Sequence, residues 1–283
     1  LDLATGDSGS TMTLTSTNGA LTAGTLNSGA VMTLQSSRGL RFTDATAGAN
    51  LDANAGEAIN FTNATGAEIR LTAGQTITGG AVRQTGSRGG GGNDDIELIA
   101  PGAITIVSAT TAGEDIFVQA GSFTATTLSS ADDIRIDVGG AVNINAATAG
   151  ALMSIRGSTL DLATGNAGGD MDLTSTNGAL VAGTLTSGGV ATLQSSRDLS
   201  FTNATAARNL DATAGGAIAF TNATGAEVRL TAGSTITGGA VRATGNRNGG
   251  GNDDVELRAP GAITIASATT ASEDIFVEAG SFT

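Results

Sequence analysis

Short runs of alternating apolar and polar residues, each closed by glycine, serine or asparagine, recur along the whole chain. The apolar-x-apolar triplets are Met12-Thr13-Leu14, Met32-Thr33-Leu34, Leu51-Asp52-Ala53, Ile69-Arg70-Leu71, Ile96-Glu97-Leu98, Ile116-Phe117-Val118, Ile134-Arg135-Ile136 and Met153-Ser154-Ile155. From Met12 to Met171, where the series restarts, the steps are 20, 19, 18, 27, 20, 18, 19 and 18 residues, so one step alone is long. A period of two over so few residues, punctuated by glycine, predicts strands joined by tight turns. The density of Thr, Gly and Asn argues against helix.

A strand-turn-strand unit of this size cannot bury its own apolar face, but like units stacked in parallel close a core between them. The pattern therefore predicts an all-β fold, a right-handed parallel β-helix (β-solenoid) of about 20 residues per coil, with equivalent residues about 4.8 Å apart on successive coils. Its first inward column is Met12, Met32, Leu51, Ile69, Ile96, Ile116, Ile134, Met153, and its second is Leu14, Leu34, Ala53, Leu71, Leu98, Val118, Ile136, Ile155. The outward column between them, Thr13, Thr33, Asp52, Arg70, Glu97, Phe117, Arg135, Ser154, is mostly polar. Asp52, Arg70 and Glu97, like Asp211, Arg229 and Glu256, fall on consecutive coils, where opposite charges attract and favour this register. Fourteen coil starts from Met12 to Ile275 predict a rod of roughly 65–70 Å.

A longer period overlies the short one. Leu1 to Thr124 returns as Leu160 to Thr283, shifted by 159 residues without insertion or deletion. We expect a single continuous β-helix over 1–283, with eight coils in a first block, 1–159, and a second, truncated block, 160–283. The chain starts and stops in mid-repeat, so we expect a segment of a larger protein whose open coil faces are covered by neighbouring coils or subunits.

Composition narrows the function. With 43 Gly, no Trp or Tyr and eight Phe, the core must be thin and built from Ile, Leu, Val and Ala. The absence of Cys excludes disulfides and thiolate metal sites, and the absence of His removes the commonest general base and transition-metal ligand. All 13 basic residues are Arg, against 26 acidic ones, and the net charge of −13 repels phosphate backbones and anionic bilayers. We expect no nucleic-acid partner, and no apolar run is long enough for membrane insertion as a helix.

The run Asp95-Ile96-Glu97-Leu98-x-Ala100-x-Gly102-x-Ile104, followed by Ala109, Gly113 and a new Asp115-Ile116, resembles the repeats of filamentous haemagglutinin-like exoproteins. The likeness continues through Asp133-Ile134 and Gly140-Ala141-Val142 to Asp254-Val255 and Gly261-Ala262-Ile263. It implies a β-helical adhesin exported by two-partner secretion to the surface or exterior of a Gram-negative bacterium. The family's amino-terminal secretion domain, with its Asn-Pro-Asn motif, is not in this segment.

Candidate chemistry is sparse. The long step carries Arg83 to Asp94, copied at Arg242 to Asp253, and Gly89 to Glu97 matches the nine-residue glycine-aspartate calcium repeat of RTX proteins. Asp94, Asp95, Asp253 and Asp254 are the candidate calcium ligands. Calcium needs six to eight oxygens, and a single nonapeptide per block makes a surface turn the default reading. Acidic pairs also precede other coil starts: Glu114 with Asp115, Asp132 with Asp133, and Glu273 with Asp274. A divalent cation would relieve their repulsion, but a solvated acidic corner is the simpler reading.

No catalytic residues are assigned, because the carboxylates recur in both blocks without a unique cluster. A threonine array for ice, suggested by Thr11, Thr13, Thr15 and Thr17, fails because its column changes chemistry from coil to coil. Asn63, Asn203 and Asn222 are formal glycosylation acceptors of a kind chance produces in a Thr-rich chain. The expectation is a structural or adhesive rod, not an enzyme, with no resident cofactor. The alternative is a calcium-dependent matrix or surface-layer protein of RTX type.

Overall fold

The computed structural model describes residues 1–86, 96–111, 113–245, 255–270 and 274–283, and all regular structure among them is β-strand. The chain divides into two compact units, Leu1–Asn143 and Ile144–Thr283. Each is a parallel β-solenoid.

In the first unit a typical coil consists of a short strand, Met32–Ser36, a tight corner, and a longer strand, Leu40–Ala47. Both pair in parallel with their counterparts one coil on: Met32 faces Leu51, and Leu40 faces Ile59. Paired residues lie 20 apart at Met12 and Met32, 19 at Leu40 and Ile59, and 18 at Ile59 and Ile77, so the coil averages about 19 residues, one fewer than expected. Across the long step Ile69 pairs with Ile96, so the extra residues leave the ladder without shifting its phase. Phase matters because a slip of one residue would turn every apolar side chain outward.

The short strands bury the first predicted column from Met12 through Ile134, and the second from Leu34 through Ile136. Leu14 is only half-buried. The longer strands are less regular. In Leu40–Ala47 the inward residues are Leu40, Phe42, Ala45 and Ala47, so Thr43 and Asp44 both face out and the alternation skips one place. The same skip occurs at Thr62-Asn63. Two outward residues in succession break the alternation there, and such irregularities bend a strand.

Volume is balanced down the column at the bend. Phe42 and Phe61 stack with centroids 5.4 Å apart and planes 15° from parallel. The next residue in the column is Gly79, and a Cβ there would lie 2.1 Å from Phe61 Cζ. Glycine is the residue that leaves room for the ring. The column then returns to an aliphatic side chain, Ile106.

The second unit repeats this plan. Its short-strand column runs Met153, Met171, Ala191, Leu210, Val228, Val255, and Phe201 and Phe220 stack at 5.4 Å above Gly238. Corners are closed by buried serines. Ser195 Oγ lies 2.9 Å from the carbonyl oxygens of Asp198, on its own corner, and Gly178, one coil back, and donates to either. Backbone approaches are closest where glycines stack: a Cβ on Gly188 would lie 2.0 Å from the Gly168 carbonyl oxygen. In the strand Val255–Thr269 the ladder shifts between Ala259 and Ala262, around Pro260-Gly261. Proline has no N–H to give a ladder, and an irregularity there absorbs its loss.

Candidate functional site

Three acidic side chains from two coils converge at a corner of the first unit. The strand starting at Ile116 pairs with the one starting at Ile134, and this places Asp115 beside Asp132 and Asp133. One carboxylate oxygen from each lies within 4.8 Å of the others. The corner is built by hydrogen bonds to Glu114, whose carbonyl accepts from Thr111 Oγ1 at 2.7 Å and from Ser130 Oγ at 2.5 Å. Asp133 N–H donates to Asp115 Oδ1 at 3.0 Å, joining the two coils.

With one oxygen from each, these three groups supply half or less of the oxygens calcium requires. Arg135 offsets part of the cluster's charge: its guanidinium donates to Asp115 Oδ2 at 3.1 Å and to Asp133 Oδ2 at 2.6 Å. Asp132 stays exposed. Its carboxyl is pushed above the usual aspartate range by partial burial, then by the charges of Asp133 and Asp115, with Arg135 opposing. A carboxyl raised in the folded state opposes folding once ionised, and the opposition fades as pH falls through that raised value. Asp132→Asn is therefore expected to raise the melting temperature slightly near neutral pH, with the gain vanishing in acid. Melting curves from about pH 7 down to about pH 3 test this; a gain that persists in acid would assign the effect to something other than charge.

The four aspartates read from the sequence as calcium ligands, Asp94, Asp95, Asp253 and Asp254, lie outside the described residues, as does Glu273. The acidic corner at Asp115 is thus the described site with metal-like chemistry, and both its acidic pairs and their stacking at one corner were legible in the coil repeat. The alternation Asp133-Ile134-Arg135 put the arginine on the aspartate's face, but its reach to Asp115 on the neighbouring coil was not readable from it.

Of the outward charge ladder, the Arg–Glu step forms ion pairs in both units, whereas Asp52 and Asp211 face Arg70 and Arg229 in register without an ion pair among the described residues. Arg70 Nε donates to Glu97, which faces it across the ladder. In the second unit Arg229 Nε donates to Glu256 at 2.8 Å, and Arg258 also donates to Glu256. Arg258 reaches on to Glu278 at 2.8 Å and lies over the Phe276 ring, 4.8 Å from its centroid. Partial burial on the sheet face pushes the Glu256 carboxyl up, but the hydrogen bonds and charges of Arg258 and Arg229 together outweigh it and hold the group below the usual glutamate range.

A depressed carboxyl stabilises the fold above its unfolded value, and this contribution is lost as pH falls through the folded value. Glu256→Gln is expected to lower the stability of the second unit near neutral pH and to flatten its acid sensitivity. Urea midpoints at neutral and acidic pH check both. A loss that is the same at both pH values would contradict the ionic origin.

The formal glycosylation acceptors serve the ladder. Asn63 Nδ2 donates to Asp44 Oδ1 at 2.6 Å, and Asn222 Nδ2 donates to Asn203 Oδ1 at 2.7 Å. Compared with known proteins, the chain matches no family model, no curated protein and no solved structure.

Proposed function

We propose that this segment is the rod of a large secreted or surface-attached bacterial protein of the filamentous haemagglutinin-like kind, one that displays binding regions or builds an extracellular fibre. The observation that carries this reading is the coil-on-coil backbone ladder kept in phase in both units, Met12 to Ile134 in the first and Met153 to Ile275 in the second. A ladder of that kind satisfies nearly every backbone group internally and needs only a thin aliphatic core. Its length grows by repetition, and duplication of the 159-residue block is a direct way to lengthen it. The role is mechanical display at the surface of a Gram-negative cell.

Immunogold labelling of intact producing cells with antibodies to this segment tests the proposal. Decoration outside the outer membrane is expected, and label confined to the cytoplasm would end it. The calcium-dependent alternative makes a different forecast. A ligand that binds only the folded state raises the melting temperature with its concentration. We expect no more than a small shift between millimolar calcium and excess chelator; a large chelator-sensitive shift would transfer the assignment to the RTX-like reading.

A further inference from the structure

Two corners of the second unit are closed by a carboxylate that reaches from one coil to the next. Asp170 Oδ1 accepts from the Val190 N–H at 2.8 Å, and Asp198 Oδ1 accepts from the Ala217 N–H at 2.8 Å. Each N–H follows a glycine that lies directly against the carboxylate. A Cβ on Gly189 would lie 2.0 Å from Asp170 Oδ1, and one on Gly216 would lie 2.2 Å from Asp198 Oδ1. Neither glycine has a left-handed backbone, so space and not conformation is what requires it.

The first block closes the same corners in another way. Thr11 and Ala30 stand where the second has Asp170 and Gly189, and Gly39 and Glu57 stand where it has Asp198 and Gly216. At both corners the two residues have changed together: aspartate comes with glycine one coil on, and where the aspartate is missing a side chain takes the glycine's place. The backbone records the difference. The N–H of Gly189 donates to the Gly169 carbonyl and that of Gly216 to the Arg197 carbonyl, both at 2.9 Å, whereas the same bonds from Ala30 to Ser10 and from Glu57 to Arg38 are 3.2 Å. The clamp from Asp133 N–H to Asp115 Oδ1 has Asp132 in place of the glycine, and there the corner bond from Asp132 to the Glu114 carbonyl lengthens to 3.4 Å. A side chain at this place opens the corner, and most where a carboxylate shares it.

We propose that Asp170 with Gly189, and Asp198 with Gly216, are two-part clamps that make these corners specific for their own next coil. The core does little to supply such specificity. The inward residues of the short strands are the same in both blocks except that Met32, Ile69 and Ile96 become Ala191, Val228 and Val255, apolar for apolar. A coil and its copy, whether from the other block or from a second molecule, therefore offer a stacking neighbour nearly the same face. A hybrid corner fails in either direction. An aspartate set against the methyl of an alanine must leave its N–H or open the backbone, and a threonine set against Gly189 leaves the Val190 N–H without its charged acceptor. The partner these corners select is a coil of their own block. The inference goes beyond the display role and is separable from it, since its failure leaves the rod reading untouched.

Single variants of the full chain provide the test, because each one is a hybrid corner. Asp170→Thr sets threonine against glycine, Gly189→Ala sets aspartate against alanine, and the two together make the pairing of the first block. Each single change is expected to lower the urea midpoint, and the double variant to lose less than their sum. The sign of the glycine change is the sharper reading. Alanine in place of a glycine whose backbone it can adopt ordinarily stabilises through the unfolded state. Gly189→Ala should therefore destabilise the wild-type chain but not the Asp170→Thr chain. Hydrogen exchange of the Val190 amide should quicken severalfold in Asp170→Thr, which removes its acceptor. In the first unit, Thr11→Asp is expected to raise the midpoint only when combined with Ala30→Gly. The proposal is overturned by an additive cycle at Asp170 and Gly189, by a Val190 amide whose exchange ignores Asp170→Thr, or by Thr11→Asp acting equally with and without Ala30→Gly.

Discussion

Phe61→Ala is expected to destabilise the first unit by about 3–5 kcal/mol, the range for removing a buried ring. Phe61 is 8% exposed, stacks on Phe42, and covers a glycine that offers no side chain to collapse into the space left behind. The partner substitution fails for the opposite reason. Gly79→Ala places a methyl group where Phe61 Cζ now sits, and overpacking of this kind costs about 1–3 kcal/mol. Combined, the two changes are expected to cost much less than their sum, because the methyl enters the cavity that the missing ring opens.

Urea unfolding of the two single variants and the double variant forms the cycle. Hydrogen exchange should place the loss in the coils around Leu40–Ala47 and Ile59–Gly66, since stability in a solenoid is largely a nearest-neighbour property. Strict additivity would show that the ring and the glycine are not complementary. Phe220 and Gly238 allow the same cycle in the second unit, where a Cβ would lie 2.2 Å from Phe220 Cζ.

Leu193→Asp is the second change with a large expected effect, and its neighbour is the control. Leu193 is fully buried in the column Leu173, Leu193, Ala212, Leu230, Leu257. A carboxylate there has apolar neighbours along its column, and an unpaired buried charge costs several kcal/mol or forces the group to stay protonated. Gln194, one residue on, is exposed between Thr174 and Thr213. Gln194→Asp is expected to change stability by no more than about 0.5 kcal/mol. Circular dichroism against urea, with limited proteolysis, should show the second unit opening in the first variant and intact in the second. Equal tolerance of both would contradict the inward-outward alternation on which the solenoid rests.

The short-strand columns were readable because they obey two simple periods at once. Alternation fixes which residues point inward, and the recurrence of Ile, Leu and Met every 18 to 20 residues fixes what stacks on what. The registry of Ile69 with Ile96 shows how robust that reading is, since it survives the one long step. The longer strands were harder. Their inward residues past the bend, Ala45 and Ala47 or Ala64, are small, and the pair Thr43-Asp44 interrupts the alternation as a loop would. The bend and the Phe61–Gly79 fit were therefore not visible as a pattern.

The acidic corner divides in the same way. Its pairs, Glu114-Asp115 and Asp132-Asp133, are plain in the sequence, and their proximity follows from the coil repeat. That Arg135 would donate to both coils, or that Glu256 would hold two arginines at once, depends on where long side chains reach across neighbouring strands. The sequence alone determined the parallel coil, its phase and its core columns, because backbone stacking repeats at one spacing and any strict period in the residues must align with it. The tertiary structure decided which side chains meet between coils, because those contacts depend on corner geometry, rotamers and local volume, none of which repeats with the chain.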